Sequence, residues 1–205
     1  MVAIYILVAL VSYLIGSISF SVIFTKKLAG FDVREKGSKN AGSTNVLRTA
    51  GKGIAVLTLI CDILKGVVAV LLAKLIGNID NFEHIEYLVQ LAGLMVVFGH
   101  TFPIFFGFKG GKGVATSLGL ILVINWQIGL ICLVFALLLM VLTRIVSLGS
   151  VAAAILFPVL TLFITENYIV PGDYRIFGIL LGFFVCFNHR ANIKRLLKGQ
   201  ESKIF

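Results

Sequence analysis

The sequence predicts an all-α, polytopic membrane helix bundle, and three observations carry that reading. Apolar runs of about 20 residues recur along the chain, each long enough to cross a hydrocarbon core roughly 30 Å thick. Of the 205 residues, 59% are hydrophobic and the mean hydropathy is +1.06, beyond what soluble domains carry. The basic residues gather at one end of the runs and the acidic ones at the other, as the positive-inside rule requires. The net charge of +9 therefore reads as orientation in a bilayer rather than affinity for nucleic acid.

Run one covers residues 2–24 and ends at Lys26 and Lys27; with no basic n-region it reads as an uncleaved spanning helix. A polar ribbon follows, from about 25 to 52. Run two, about 53–77, contains Asp62, Lys65 and Lys74. The acidic link NIDNFEHIE leads to run three, about 87–106, which closes on FGHTFPIFF and passes into GFKGGKG. Residues 113–143 carry no charge, and as one straight helix they would measure roughly 46 Å, too long for the core. The NWQ triplet at 125–127 offers two amides for a turn and a Trp for the interface. It divides the run into a short helix, about 113–124, and a longer one, about 128–143. Spans at about 147–166, with Pro158 as a candidate kink, and about 175–188 complete seven helices, two of them short.

This topology puts the N-terminus outside and the C-terminus in the cytoplasm. All Lys and Arg except Lys65, Lys74 and Arg175 then fall on the cytoplasmic side, and Asp80, Glu83, Glu86, Glu166 and Asp173 lie in outward links. Helix 113–124, roughly 18 Å long, either penetrates half-way or belongs to a reentrant pair. Residues 1–205 read as one domain without an internal repeat. Ser12 with Gly16, and the run SLGSVAAA, allow close helix packing. Cys61, Cys132 and Cys186 lie in apolar runs without a CxxC or Cys/His cluster, which indicates neither a disulfide framework nor a zinc site.

Four polar elements share the cytoplasmic face in this topology: the ribbon, GFKGGKG, Ser147 at a helix start, and NHRANIKR after the last span. Together they suit a phosphate. GGKGVATS sets glycines and Lys112 before a helix, where unpaired backbone N–H groups and the positive helix end favour an oxyanion. In GSKNAGSTNVLRTAGK, glycines such as Gly42 permit close backbone approach and Arg48 can grip phosphate in a fork. A loop gripping anionic lipid needs only Lys and Arg; Asn40, Ser43, Thr44 and Asn45 argue for a more specific site. A nucleotide-binding loop is disfavoured, because Ser43 stands where GSKNAGST would need Lys, and no strand precedes it. His189 and Asn192, three apart, share one helix face, and anchoring at the interface is the plainer reading of the His. Asp62 with Lys65 reads first as an internal ion pair that fixes packing. His100 and Pro103 shape the helix end beside the glycine turn.

The ordered motifs GSISF, GSKNAGSTNVLRTAGK, DILKG, GHTFPIFFGFKGGKGVAT, VSLGS and HRANIKRLLKGQE resemble the bacterial acyl-phosphate:glycerol-3-phosphate acyltransferase family over nearly the whole chain. Ser21 and Ser43 depart from its usual small residues without removing a polar group. The resemblance implies acyl transfer from acyl phosphate to the 1-hydroxyl of glycerol 3-phosphate, giving lysophosphatidic acid and phosphate, the first acylation of phospholipid synthesis. It implies an inner-membrane enzyme, monomeric, with no cofactor, no metal and no nucleic acid, which could take its donor from the enzyme that makes acyl phosphate. By resemblance Ser38, Arg48, Lys112, Ser147, His189 and Asn192 are the catalytic candidates. Asn40, Gly42, Thr44, Asn45, Gly110, Gly111 and Gly113 are the substrate-binding ones, with Asn40 and Asn45 orienting substrate hydroxyls or holding the ribbon's turn.

The residues agree with that chemistry. No His is followed by the Asp of an HxxxxD acyltransferase pair, because Val89, Phe105 and Lys194 stand at those positions. No nucleophile elbow is present either. A transporter for an organic phosphate would instead place its polar groups along a pathway through mid-membrane, where only Asp62 and Lys65 lie. A structural lipid-binding protein would bind headgroups without turnover.

Overall fold

A computed structural model describes residues 2–204, and among them every regular element is helical. They form two compact units, one up to Leu120 and one from Ile121 onward.

In the first unit, α1 (Val2–Gly16) stops short and the chain resumes as α2 (Phe20–Phe24), which runs on through a π-helical turn at Thr25–Ala29. Run one is therefore not the single helix its hydropathy predicts. The Gly and Ser residues of GSIS are poor at carrying a helix, and the break exposes carbonyls that lipid cannot satisfy. Lys65 satisfies them: its Nζ donates to the carbonyls of Gly16 and Ile18, each at 3.1 Å. Lys65 lies on α4 (Lys52–Ile79) and pairs with Asp62 at 2.9 Å, both side chains buried. The expected ion pair is present, and it fastens the broken first span to α4.

Part of the polar ribbon is helical: α3 (Ser43–Ala50) follows its N-cap, Gly42. Amides and hydroxyls at its start suit the cap of a helix as well as a loop. Beneath it Val22, Val33, Ala41, Val46 and Ala55 form a buried cluster that anchors the ribbon. α5 (Ile85–Thr101) crosses α1 at very short range, with Gly16 against the backbone of Val96 and Gly99 against that of Tyr13; a side chain at either glycine would collide. The same exchange joins α4 to the start of α6 (Val114–Ile124), with Gly66 against Thr116 and Gly119 against Ile63. Without a hydrophobic drive between helices in lipid, such backbone contact is what dispersion can exploit.

The second unit contains α7 (Trp126–Thr143), α8 (Val146–Phe163), α9 (Arg175–Asn188) and α10 (Arg190–Leu197). The predicted division at NWQ is present, and Asn125 makes it. Its Oδ1 accepts from the Gln127 and Ile128 N–H groups, both at 3.1 Å, and its Nδ2 donates to the Glu166 carbonyl at 2.8 Å. Pro158 lies inside α8 and leaves the Ala154 carbonyl without its helical donor; Gly182 of α9 packs onto that carbonyl.

Each predicted run after the first appears as a helix, and the first as a broken one. Among the described residues, five stretches are long and apolar enough to span: Val2–Ala29, Lys52–Ile79, Ile85–Phe106, Trp126–Thr143 and Val146–Phe163. The pair Arg175–Asn188 and Arg190–Leu197, bent by 67°, makes a sixth if counted as one span, and Val114–Ile124 is shorter. His189 and Asn192 accordingly do not share one straight helix. His189 sits at the joint, and Asn192 in the first turn of α10.

Candidate active site

The ribbon is built around Asn45. This buried side chain accepts from the Ser38 N–H at 2.9 Å through Oδ1. Its Nδ2 lies 3.0, 3.1 and 3.0 Å from the carbonyls of Val33, Lys36 and Asn40. Turns at Gly37 and Lys39, both with positive φ, wrap the chain around it. Asn45 therefore holds the ribbon's turn, the second of the two roles open to it. Ser38 is left exposed at the crest. Thr44 and Arg48, four apart, lie on one side of α3, with Arg48 exposed in its last turn.

The glycine-rich loop is fastened to α5 and to the ribbon. The Gly110 N–H donates to the Thr101 carbonyl and the Gly111 N–H to the His100 carbonyl, both at 3.1 Å. These two N–H groups are thereby committed within the chain. The donors the loop offers are Lys112, half-buried, and the first turn of α6 behind Gly113. The Gly110 carbonyl accepts from the Ala41 N–H and from Asn40 Nδ2, both at 3.4 Å, and so joins loop to ribbon. Arg34 adds a clamp: its guanidinium donates to the Phe106 carbonyl at 2.6 Å and grips Asp32 at 2.8 and 3.0 Å. The Arg34 hydrogen bonds, with a further one from Lys26, hold the Asp32 carboxyl well below the usual carboxylate range despite its burial.

In the second unit His189 is buried, and its Nδ1 lies 2.8 Å from the Val185 carbonyl. A carbonyl can only accept, so Nδ1 carries a proton. Asn192 donates through Nδ2 to Glu201 Oε1 at 2.7 Å, and Arg195 to Oε2 at 2.6 Å. The buried Ser147 hydroxyl makes no hydrogen bond of good geometry, yet it is close enough to act on the Glu201 carboxyl. Burial pushes that carboxyl up, but Arg195, Asn192 and Ser147 together outweigh burial and hold it below its ordinary value.

The sequence signature of glycerol-3-phosphate acyltransferase matches residues 6–199. This chain belongs to that family. It is 45% identical over 204 residues to the glycerol-3-phosphate acyltransferase of Clostridioides difficile (strain 630), covering 98% of this chain and 95% of that one. It is 44% identical over 208 residues to the Nostoc sp. enzyme, covering 96% and 90%. The crystal structure of PlsY (YgiH), an integral membrane glycerol 3-phosphate acyltransferase, in its glycerol 3-phosphate form superposes with a TM-score of 0.84 at 36% identity, covering 97% of this chain and 94% of that one. The lysophosphatidic acid form of PlsY gives 0.83.

In this acyltransferase the first unit gathers Ser38, Asn40, Gly42 and Asn45 beside Gly110 and the Lys112 loop. The second gathers Ser147 and Asn192 at Glu201, near the joint that carries His189. Three contributors escape a reading of the sequence. Glu201 is the lone acid in a strongly basic tail, and that isolation is the signal that could have found it. Asp32 and Arg34 look like ordinary ribbon charges, and nothing in their spacing shows that Arg34 reaches the Phe106 carbonyl.

Both lowered carboxyls have a measurable consequence. A folded-state pKa below the unfolded one, about 4, gives stability that is present above that value and lost as pH falls through the folded pKa. Thermal stability in detergent is therefore expected to hold from pH 7 to about 5 and to fall below about 4. Glu201→Gln should start lower at pH 7 and lose less on acidification; an unchanged acid slope in this variant would remove Glu201 from the account.

Proposed function

We propose that the donor is an acyl phosphate, and that the chain makes 1-acyl-glycerol 3-phosphate and inorganic phosphate from it, the first acylation of phospholipid synthesis. The observation that carries the reading is the joining of the polar ribbon to the Lys112 loop through the Gly110 carbonyl. It ties the segment that carries Asn40 to the one that carries Lys112, and hydroxyls, amides and cations are what a reaction between two phosphate-bearing substrates needs. Residues 1–205 act as one acyltransferase domain of the bacterial inner membrane, with the N-terminus outside and the ribbon and C-terminus in the cytoplasm. The protein works as a monomer, and receives its donor from the enzyme that makes acyl phosphate.

Lys112 and the first turn of α6 hold the phosphate of glycerol 3-phosphate, with Gly110, Gly111 and Gly113 shaping the loop. Ser38, Asn40, Gly42, Thr44 and Arg48 act on the acyl phosphate. The 1-hydroxyl oxygen attacks the acyl carbonyl carbon; a C–O ester bond forms, the C–O bond to phosphate breaks, and phosphate leaves with the electron pair. Arg48 and Lys112 offset the charge that develops on the carbonyl and leaving oxygens. A mixed anhydride is already activated, so no acyl-enzyme is needed. The hydroxyl proton passes to a substrate phosphate or to His189, and Ser147 and Asn192 are the remaining catalytic candidates.

Purified protein should form lysophosphatidic acid from palmitoyl phosphate and glycerol 3-phosphate without nucleotide or added metal. Product from acyl-CoA but none from acyl phosphate would sink the donor assignment. His189→Ala and His189→Gln should each lower kcat by about 100-fold or more and flatten the acid limb of the rate profile. Near-normal rates in both would move the proton to a substrate phosphate.

A further inference from the structure

We propose that His100 is a positioning residue for glycerol 3-phosphate: braced by Asp62, its imidazole is the seat on which Gly111 rests, and it thereby sets the place of Lys112. The proposal rests on the reading of the Lys112 loop as the phosphate site of that substrate.

Four observations in the first unit carry it. His100 is buried in the last turn of α5, and its own carbonyl accepts from the Gly111 N–H at 3.1 Å. Its ring lies directly under Gly111: a methyl there would collide with Nε2 and come within 2.8 Å of Cε1 and 3.1 Å of Cδ2. On its other side, Nδ1 stands 3.5 Å from Asp62 Oδ1. That oxygen also faces Lys65 Nζ at 2.9 Å, and Lys65 is anchored on the Gly16 and Ile18 carbonyls. One continuous chain of polar contacts thus leads from the break in the first span, through Lys65, Asp62 and His100, to the residue before Lys112.

Asp62 Oδ1 makes no hydrogen bond of good geometry, so at 3.5 Å the carboxylate holds the ring from its far side by charge and close packing. The two contacts to Gly111, backbone and ring, then leave the loop one height above α5. Loss of the ring would leave a void under Gly111, and Lys112 would lose its fixed distance to the phosphate.

The test measures both Michaelis constants and kcat of detergent-purified His100→Ala, His100→Gln and Asp62→Asn, with Lys112→Ala alongside. His100→Ala should raise KM for glycerol 3-phosphate about 10-fold or more and lower kcat, with KM for palmitoyl phosphate within about 3-fold. Asp62→Asn should give part of that rise, and His100→Gln, which fills the space, less than alanine. A buried histidine with only a structural role would lower the yield of folded enzyme and the thermal midpoint while leaving KM unchanged. That result in His100→Ala, or in His100→Gln should alanine prevent folding, overturns the proposal. A double-mutant cycle adds a second check: Gly111→Ala should raise KM in the wild-type background and do so less once His100 is alanine. Additive effects would deny the contact its role. If Lys112→Ala itself leaves KM for glycerol 3-phosphate unchanged, it is the assignment of the loop that fails.

Discussion

Replacing Lys112 with alanine is expected to raise KM for glycerol 3-phosphate by roughly 30- to 150-fold. The figure follows from losing a hydrogen-bonded charge contact worth about 2–3 kcal/mol, at about 1.4 kcal/mol per decade. Lys112 is not a cation on a mobile loop. The two residues before it are tied to α5 by the Gly110 and Gly111 N–H bonds. The residue after it, Gly113, has a φ of +90 that other residues rarely adopt, and a side chain there would press on Val97 within 2.6 Å. The ammonium is thus delivered from a fixed backbone to the start of α6, where helix-end N–H groups add to its field. Lys112→Arg should recover only part of the loss, because a planar fork does not replace a point charge at a fixed stem length. The effect should weaken at high salt. Unchanged kinetics for glycerol 3-phosphate in Lys112→Ala would remove the residue from the phosphate site.

The sequence and the structure agree best where one residue does one local job. Asn125 is legible because a charge-free stretch too long for the bilayer must turn, and an Asn flanked by Trp and Gln is where it can; the structure makes it a helix cap. The break at Ser17–Ser19 is not legible from run one alone, since hydropathy does not register a missing backbone partner. Its explanation lies 47 residues on, in the bond from Lys65 to Ile18. The same distance problem hides Arg34, whose bond to Phe106 spans 72 positions. The polar ribbon was readable as a specific site from its amides and hydroxyls. Composition could not divide those groups into ones that face a substrate and ones that hold the ribbon's shape. Asn45 belongs to the second kind because its four contacts are all to this chain's own backbone. The glycines before Lys112 were readable as permitting close approach, but what approaches them is partly His100 and the α5 carbonyls.

That division makes Asn45 the second position where a single change should cost most. Asn45→Ala removes every one of those four contacts, each between 2.9 and 3.1 Å, from a side chain only 2% exposed. The Ser38 N–H and the Asn40 carbonyl lose their protein partner, at about 1–3 kcal/mol for each group so stranded, while the Val33 and Lys36 carbonyls keep one backbone donor each, so the ribbon loses the bonds that shape it. The loss should be local, because the spanning helices rest on glycine contacts and on the Asp62–Lys65 pair, none of which involves Asn45. Activity is therefore expected to fall about 100-fold or more while the thermal midpoint in detergent moves little. Trypsin should then cut at Lys36 and Lys39, which flank the crest where Ser38 sits. Asn45→Asp separates the two halves of the amide's work. It keeps an acceptor for the Ser38 N–H but sets a carboxylate against the carbonyls of Val33, Lys36 and Asn40, so it should rescue neither activity nor resistance to trypsin. A variant at Asn45 with normal kinetics and an uncut ribbon would show that the ribbon keeps its shape without this hub, and the role of Ser38 would then need another support.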